Sequence, residues 1–157
     1  MDPTGRHVIV LLVWSALVVA AAADQKQLYP VVEVQHVDHS STRFLIHVAN
    51  GLSGDICYVS CKSKDTNIGG HFLDLGANIG WHFEPNFWGT TLFWCFASKS
   101  GAKASFDVFW VEKRSSWLRE RCGGDETLTC IWIVKDDGIY IRNLTQNVDE
   151  LIHKWNE

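Results

Sequence analysis

The sequence lacks the charge patterns and long apolar runs that identify several common classes of protein. Its 14 lysines and arginines and 18 aspartates and glutamates are interspersed, so no basic stripe or polybasic run is present. Proteins that bind nucleic acids or anionic membranes generally carry such a run. Beyond residue 23, no apolar segment approaches the ~20 residues that cross a bilayer as a helix. The sequence therefore predicts no nucleic-acid partner and no membrane insertion once the first 23 residues are removed.

Motifs that support catalysis or cofactor binding are also absent. The chain has no G-x-S-x-G, no H-E-x-x-H and no glycine-rich phosphate loop that opens a helix. His82 and Glu84 would share one face of a predicted strand and could act as an acid–base pair, but an ordinary polar outer face has the same pattern. His36 and His39 offer two metal ligands without a fixed third. We therefore predict no enzyme activity, no metal site and no cofactor.

What the chain does have, at its N-terminus, is the pattern of a secretory signal peptide. Arg6 precedes an unbroken apolar run that starts at Val8, and small residues occupy positions 21 and 23. This layout predicts removal of residues 1–23 by cleavage between Ala23 and Asp24. An uncleaved membrane anchor is the alternative, but the run is short for a membrane span and finishes in alanines. We therefore expect a secreted, extracellular protein.

The mature chain also contains an odd number of cysteines, Cys57, Cys61, Cys95, Cys122 and Cys130. In an oxidising compartment they predict disulfides, with one thiol left over. Cys57 and Cys61 would be about 13 Å apart in a straight strand, whereas the Cα atoms of a disulfide lie within about 7 Å. Cys57 occupies a position in C-Y-V-S-C that suits a small buried apolar residue, so we expect it to be the free thiol.

Residues 43–157 have the pattern of one all-β domain, an antiparallel β-sandwich of about eight short strands. Runs that alternate apolar and polar residues, or that are rich in β-branched and aromatic residues, are separated by turn residues every ~8–12 positions. The predicted strands cover residues 43–50, 55–62, 70–75, 78–84, 90–98, 103–111, 130–135 and 138–143. Residues 24–42 are expected to form an extended arm. Residues 147–155 suit a short C-terminal helix, because Val148, Leu151 and Ile152 would share one face.

One modification signal is present. Asn143-Leu144-Thr145 is the only N-x-[ST] sequon in the chain, and it falls directly after a predicted strand. In a secreted protein this motif predicts an N-linked glycan on Asn143.

Five segments, taken in order, point to a family. They are FLIHVANGL, VSCKSKDTNIGGHFL, GWHFEPNFWGTTLFWC, FDVFW and C…CIWIVKDDGIY. Over about residues 43–140 they resemble the plant self-incompatibility S1 family, whose members are also called S-protein homologues. The resemblance implies a disulfide-stapled β-sandwich that acts as a secreted ligand for a cell-surface receptor, with a role in rejection of self pollen. The chain departs from the family where Thr66 and Asn67 replace acidic residues and where residues 97–99 lack an aromatic side chain.

The resemblance also implies which cysteines are bonded. Family members typically carry four, which match Cys61, Cys95, Cys122 and Cys130 and again leave Cys57 over. Of the three connectivities that four cysteines allow, we favour the nested one, Cys61–Cys130 with Cys95–Cys122. A local Cys122–Cys130 bridge, which would close the GGDETLT loop, is the alternative.

Hydrophilic loops are the expected partner-binding surface of such a scaffold. They lie in the loop after the second predicted strand and in the charged connection over residues 112–127. The candidate partner-binding residues are Lys62, Lys64, Asp65, Arg119, Glu120, Arg121, Asp125 and Glu126. The receptor itself is not identified by the sequence, and we expect the ligand to be a monomer.

Two other functions are compatible with the sequence. A carbohydrate-binding sandwich would stack sugar rings on exposed tryptophans, for which Trp81, Trp88 and Trp117 are the candidates. A secreted hydrolase, which we favour less, would use His82 and Glu84.

Overall fold

Alternating buried and exposed residues form nine strands and one short helix in the computed structural model, which describes residues 42–156. The strands are β1 (Arg43–Asn50), β2 (Cys57–Lys62), β3 (Asn67–Leu73), β4 (Asn78–Phe83), β5 (Leu92–Lys99), β6 (Ala102–Trp110), β7 (Thr127–Lys135), β8 (Gly138–Asn143) and β9 (Val148–Lys154). The helix, α1, covers Trp117–Arg121. None of the described residues belongs to a helix long and apolar enough to cross a membrane. The predicted signal peptide and all of the predicted arm except Thr42 lie outside the described residues.

The nine strands form two sheets. The five-stranded sheet has the order β4-β1-β7-β8-β9, and the four-stranded sheet has the order β3-β2-β5-β6. The predicted β-sandwich is confirmed, but the expectation of wholly antiparallel pairing is wrong, because β1 and β7 are parallel. The reason lies in residues 111–126, which carry the chain from β6 to the end of the five-stranded sheet at which β1 also begins.

Two connections, β1–β2 and β3–β4, cross from one sheet to the other at the same end of the molecule. The buried side chain of Asn50 holds them together. Its Nδ2 donates to the carbonyls of Leu73 at 2.8 Å and Asp55 at 3.0 Å, and its Oδ1 accepts the N–H of Leu52 at 2.9 Å. A buried amide is stable only when its polar atoms are hydrogen-bonded, so this network fixes the end of the sandwich that carries the crossings.

The core lies between the sheets and includes Trp132, which is fully buried. The indole Nε1 of Trp132 donates to the backbone carbonyl of Val108, on the opposite sheet, at 3.0 Å. A buried donor that loses its acceptor costs about 1–3 kcal/mol, so this bond favours one relative position of the two sheets. The inward-facing aliphatic residues of both sheets are also buried, among them Ile46, Val48, Val59, Val134, Ile139 and Ile141.

The predicted C-terminal helix is wrong, because residues 148–154 form the edge strand β9. Asn147 adopts the left-handed conformation, with a φ of 54°, and turns the chain back beside β8. Asp149 of β9 then pairs with Lys135 at 2.7 Å and with Arg142. An isolated helix shorter than ~12–15 residues is marginal in water, so pairing with β8 outweighs the helical spacing of this segment.

The predicted disulfide pairing is also wrong, although the four cysteines expected to bond are the ones that do. The bridges are Cys61–Cys95 and Cys122–Cys130, with Cα atoms 4.1 and 4.5 Å apart. Cys61 and Cys95 lie directly opposite each other on β2 and β5, whereas Cys130 belongs to the other sheet. Cys57 is the buried free thiol, in agreement with the prediction, and its burial raises its pKa to about 11.

Candidate functional site

Connections from both sheets meet at one end of the sandwich, which we call the loop end. They are the β2–β3 loop (63–66), the β4–β5 loop (84–91), the β6–β7 connection (111–126) and the β8–β9 turn (144–147). The strand register places them together. Arg43, which begins β1, lies opposite Thr127, which begins β7. Two surface grooves join these segments: one runs between the β2–β3 and β4–β5 loops, and the other between the β4–β5 loop and the β6–β7 connection.

The most exposed large hydrophobic side chains at this end are Phe87 and Trp88, which we call the aromatic tip. They retain 93% and 79% of their accessible surface, and their rings lie edge to face with centroids 5.6 Å apart. Both belong to the β4–β5 loop, which has no charged residue between Pro85 and Thr91. Exposed apolar side chains grouped in this way mark binding surfaces in soluble proteins.

Hydrogen bonds within the β4–β5 loop hold the aromatic tip in place. The backbone N–H of Asn86 donates to Thr91 Oγ1 at 2.8 Å, and its Nδ2 donates to Thr90 Oγ1 at 2.9 Å. The N–H of Thr90 returns a bond to Asn86 Oδ1 at 2.9 Å. Gly89 completes the turn with a φ of 62°, a conformation that glycine adopts without the strain of a side chain. The loop is therefore ordered before any partner binds, which lowers the entropic cost of binding.

The structure places the first group of predicted residues beside this tip. Lys64 and Asp65 are exposed in the β2–β3 loop, where Ser63 Oγ accepts the N–H groups of Asp65 at 3.3 Å and Thr66 at 3.0 Å. Lys62 ends β2, with its Nζ 5.7 Å from the centre of the Trp94 ring. A groove of about 540 Å³ extends from this loop to the aromatic tip.

The predicted partner-binding residues on α1 differ in how many contacts they make within the protein. The guanidinium of Arg119 is exposed, 5.8 Å from the centre of the Phe44 ring, and Glu120 accepts a hydrogen bond from the Ser116 hydroxyl. Arg121 is not available as predicted. Its Nε donates to Glu150 at 2.7 Å, its Nη1 donates to the Trp117 carbonyl at 2.9 Å, and its guanidinium stacks on the Trp117 ring. Arg121 therefore attaches α1 to β9.

Asp125 and Glu126 are exposed on the turn that the Cys122–Cys130 bridge encloses. Gly123 and Thr129 exchange two backbone hydrogen bonds, of 3.0 and 2.6 Å, across the base of this turn. Gly124 has a φ of 116°, and a Cβ there would lie 2.2 Å from a backbone oxygen. The turn is rigid for these reasons, and both carboxylates remain available to a partner.

The side chain of the predicted glycosylation site is buried in the folded chain. Asn143 is only 4% exposed. Its Nδ2, the atom to which a glycan would be attached, donates to Glu150 Oε1 at 2.8 Å, and its Oδ1 accepts the N–H of Gln146 at 3.0 Å. Together with Arg121, this bond lowers the pKa of Glu150 below its ordinary value. In the folded chain Asn143 closes the β8–β9 turn with its Nδ2 engaged, and the glycan stays a prediction.

The residues proposed for sugar stacking do not form one surface. Trp81 is buried in the core, where its Nε1 has no hydrogen-bond partner among the described residues. Trp117 is half-buried and stacks on Trp110, with ring centroids 5.5 Å apart. Trp88 is the exposed member of the predicted set. The structure therefore offers one of these three rings to a ligand.

The two residues proposed for acid–base catalysis, His82 and Glu84, do not interact with each other in the described chain. Glu84 forms an exposed ion pair with Arg43, with 3.3 Å between Oε1 and Nη2, and His82 is exposed on β4. No hydrogen bond joins His82 to Glu84 in the described chain. Within residues 42–156 no three histidine, cysteine or acidic side chains are grouped as metal ligands would be. His36 and His39 lie outside the described residues.

Sequence reasoning missed Phe87 and the part that Asn86 plays in holding it. The signal available was two large aromatic residues between turn-forming residues, in P-N-F-W-G. Periodicity alone does not distinguish a ring at a turn from a ring in a strand.

Three comparisons with known proteins agree. The family model described as plant self-incompatibility protein S1 matches residues 45–155. The chain is 35% identical to S-protein homolog 74 and 34% identical to S-protein homolog 1, both from Arabidopsis thaliana, over 111 residues and 70% of each chain. A solved structure of a self-incompatibility protein homologue, from a family described as small, highly stable, secreted plant proteins, covers 74% of this chain and 97% of its own. It aligns with a TM-score of 0.53 at 15% identity, which supports the fold alone.

Proposed function

The chain belongs to the plant self-incompatibility protein S1 family, and on that premise we propose that it is a secreted recognition ligand which binds a cell-surface receptor through its loop end. The signal-peptide pattern of residues 1–23 and the secretion described for the solved neighbour support export. Two disulfides, Cys61–Cys95 and Cys122–Cys130, suit a protein that works in an oxidising space. One role of such a ligand is the rejection of self pollen.

The observation that carries this proposal is the ordered, exposed aromatic tip. Phe87 and Trp88 expose nearly all of their rings to solvent, which is unfavourable for the isolated protein. Buried aromatic residues are the usual energetic centres of protein interfaces, where truncation of one costs about 2 kcal/mol or more. The charged residues on either side, Lys64, Asp65 and Arg119, would then set orientation and association rate rather than most of the affinity.

The test is binding of the fluorescently labelled, oxidised protein to intact cells of the plant that makes it, pollen tubes included. We expect saturable binding that protease treatment of the cells removes. The double variant Phe87→Ser, Trp88→Ser should weaken binding by at least about tenfold. The matched control is Phe72→Ser, because Phe72 is 78% exposed but lies near the opposite end of β3.

Two results would overturn the proposal. One is the absence of saturable binding to any of these cells. The other is equal loss of binding in the double variant and in Phe72→Ser, since general stickiness of exposed aromatic rings would then explain the signal. A role in incompatibility is tested separately, by applying the protein to self and non-self pollen and measuring tube growth.

A carbohydrate-binding function is the second candidate, and exposed Trp88 is the observation that favours it. One ring without a second coplanar ring gives little stacking area, and the neighbouring Phe87 ring is turned 79° away from it. A glycan array with the labelled protein decides between the two. Hits that Trp88→Ser removes would support the sugar, and an array without hits would favour the receptor.

A further inference from the structure

A groove beside the aromatic tip has the size and lining of a small-molecule site. It has a volume of about 470 Å³ and lies between the β4–β5 loop and the β6–β7 connection. We call it the α1 groove. Ligand sites in proteins commonly measure ~300–1,000 Å³ and are lined mainly by apolar side chains. Here the exposed ring of Phe87 and the half-buried Pro85 and Val111 form the apolar walls. Phe44, Phe109 and Leu118 form the floor.

The floor of the α1 groove is rigid. Phe44, Phe109 and Leu118 are buried, with 2%, 2% and 1% of their surface exposed. The Phe44 and Phe109 rings meet edge to face with centroids 4.6 Å apart, and Phe83 packs against both, at 5.8 and 4.7 Å. A floor embedded in the core in this way keeps its shape without a ligand, so the groove is already formed.

The rim of the groove carries two charged residues with different surroundings. The carboxylate of Glu112 accepts the N–H of Leu118 at 2.7 Å and the N–H of Arg119 at 3.3 Å. The side chain of Arg119 has no ion pair or hydrogen bond with any of residues 42–156, and its guanidinium lies 5.8 Å from the centre of the Phe44 ring. Glu112 is therefore engaged by the backbone, while Arg119 lines the groove with donors that have no partner among residues 42–156.

We propose that the α1 groove binds a small amphipathic anion, a molecule with an apolar ring and one anionic group. The ring would lie against Phe87 above this floor, and the anionic group would accept hydrogen bonds from Arg119. The fork of a guanidinium is well suited to carboxylate or sulfonate oxygens. This site goes beyond the proposed receptor function. Since Phe87 belongs to both surfaces, an occupied groove would change the surface that a receptor meets.

The experiment uses two probes with the same ring system, the anion 8-anilinonaphthalene-1-sulfonate and the uncharged N-phenyl-1-naphthylamine. Fluorescence titration of the folded, oxidised protein should show saturable binding of the anion to one site per chain. Arg119→Gln should weaken binding of the anion about tenfold, as expected for loss of a charge-assisted hydrogen bond. The same variant should change binding of the uncharged probe by less than about twofold, because the apolar lining is intact.

Two further variants control this measurement. Arg114→Gln removes an exposed arginine of the same connection that does not line the groove, and it should leave both probes unaffected. Phe87→Ser should weaken both probes. Thermal unfolding of every variant identifies loss of fold, and if Arg119→Gln is destabilised, Arg119→Lys tests the charge instead and should retain the anion. The proposal is overturned if neither probe saturates, or if Arg119→Gln and Arg114→Gln behave alike.

Discussion

The β4–β5 loop and the β6–β7 connection both reach the loop end, but they use their polar groups for different purposes. The connection is rich in charge, and much of that charge is engaged within the protein. Arg121 holds Glu150, and Glu112 accepts two backbone N–H groups of α1. The β4–β5 loop has no charge between Pro85 and Thr91, and its amide and hydroxyl groups bond to one another while Phe87 and Trp88 face solvent. A segment rich in charge therefore does not necessarily leave its charged groups free to bind a partner.

The largest expected effect on stability comes from the bridge that anchors the connection. Replacing Cys122 and Cys130 together by serine should lower the free energy of unfolding by about 2–3 kcal/mol, because the unfolded chain regains the entropy of an open loop. Urea unfolding followed by tryptophan fluorescence measures this loss. An unchanged midpoint would mean that the connection is held by its hydrogen bonds alone.

Two arginines on the same helix provide the next test. Arg121→Ala removes a hydrogen bond to Trp117 and the stacking on its ring, so we expect a loss of about 1–2 kcal/mol. Arg119→Ala should change stability by less than about 0.5 kcal/mol, because Arg119 is exposed and has no ion pair among the described residues. Thermal unfolding of both variants makes the comparison. Equal losses would contradict the assignment of Arg121 as a structural residue and Arg119 as a free one.

Acid should weaken the attachment of the connection to β9. Hydrogen bonds from Asn143 and Arg121 lower the pKa of Glu150 below its ordinary value. A carboxyl whose pKa is lower in the folded state stabilises the fold fully above its ordinary pKa, and that stabilisation is lost as the pH falls through the folded value. The wild type should therefore be more stable than Glu150→Gln at pH 6.5, and the difference should shrink at pH 3. Urea unfolding at both pH values measures it. A difference that is independent of pH would refute this account of Glu150.

A smaller effect on stability is expected in the β4–β5 loop. Asn86→Ala removes the bonds to both Thr90 groups, and because the loop is exposed we expect a loss of about 1 kcal/mol or less. The amide protons of residues 87–90 should nevertheless exchange faster with solvent, and binding to cells should weaken, since the tip is no longer preorganised. Hydrogen exchange measured by NMR distinguishes this local loosening from a global loss of stability.

The smallest expected effect is that of the aromatic tip itself. Phe87→Ser with Trp88→Ser should change the free energy of unfolding by less than about 0.5 kcal/mol, because both rings are already in solvent. Differential scanning calorimetry provides the measurement. A clear loss of stability would show that the rings support the fold, and the comparison between display loop and structural connection would then fail.

The strands could be predicted from the sequence because their signal is local. In R-F-L-I-H-V-A-N, buried residues alternate with exposed or half-buried ones along the whole of β1. This pattern requires no knowledge of which strand lies beside it. The same local rule failed for β9, where Leu151 and Ile152 fit a helical face equally well. There the hairpin with β8 decides the conformation, and that contact is not visible in the segment itself.

Pairing and exposure could not be predicted, since they depend on residues distant in sequence. The bridge between Cys61 and Cys95 follows from the register of β2 on β5. The parallel pairing of β1 with β7 follows from the route of the β6–β7 connection. The same limit applied to the site: Lys64 and Trp88 line one groove at the loop end only because β2 and β5 are adjacent in one sheet.

The buried thiol of Cys57 provides a built-in probe of how often the folded protein opens. At neutral pH its thiol is protonated, because its pKa is about 11, and the core shields it from reagents. An alkylating agent in excess therefore reaches it only when the structure around it opens. The rate at which the Cys57 thiol is alkylated therefore reports the rate of opening, and no label has to be engineered into the protein.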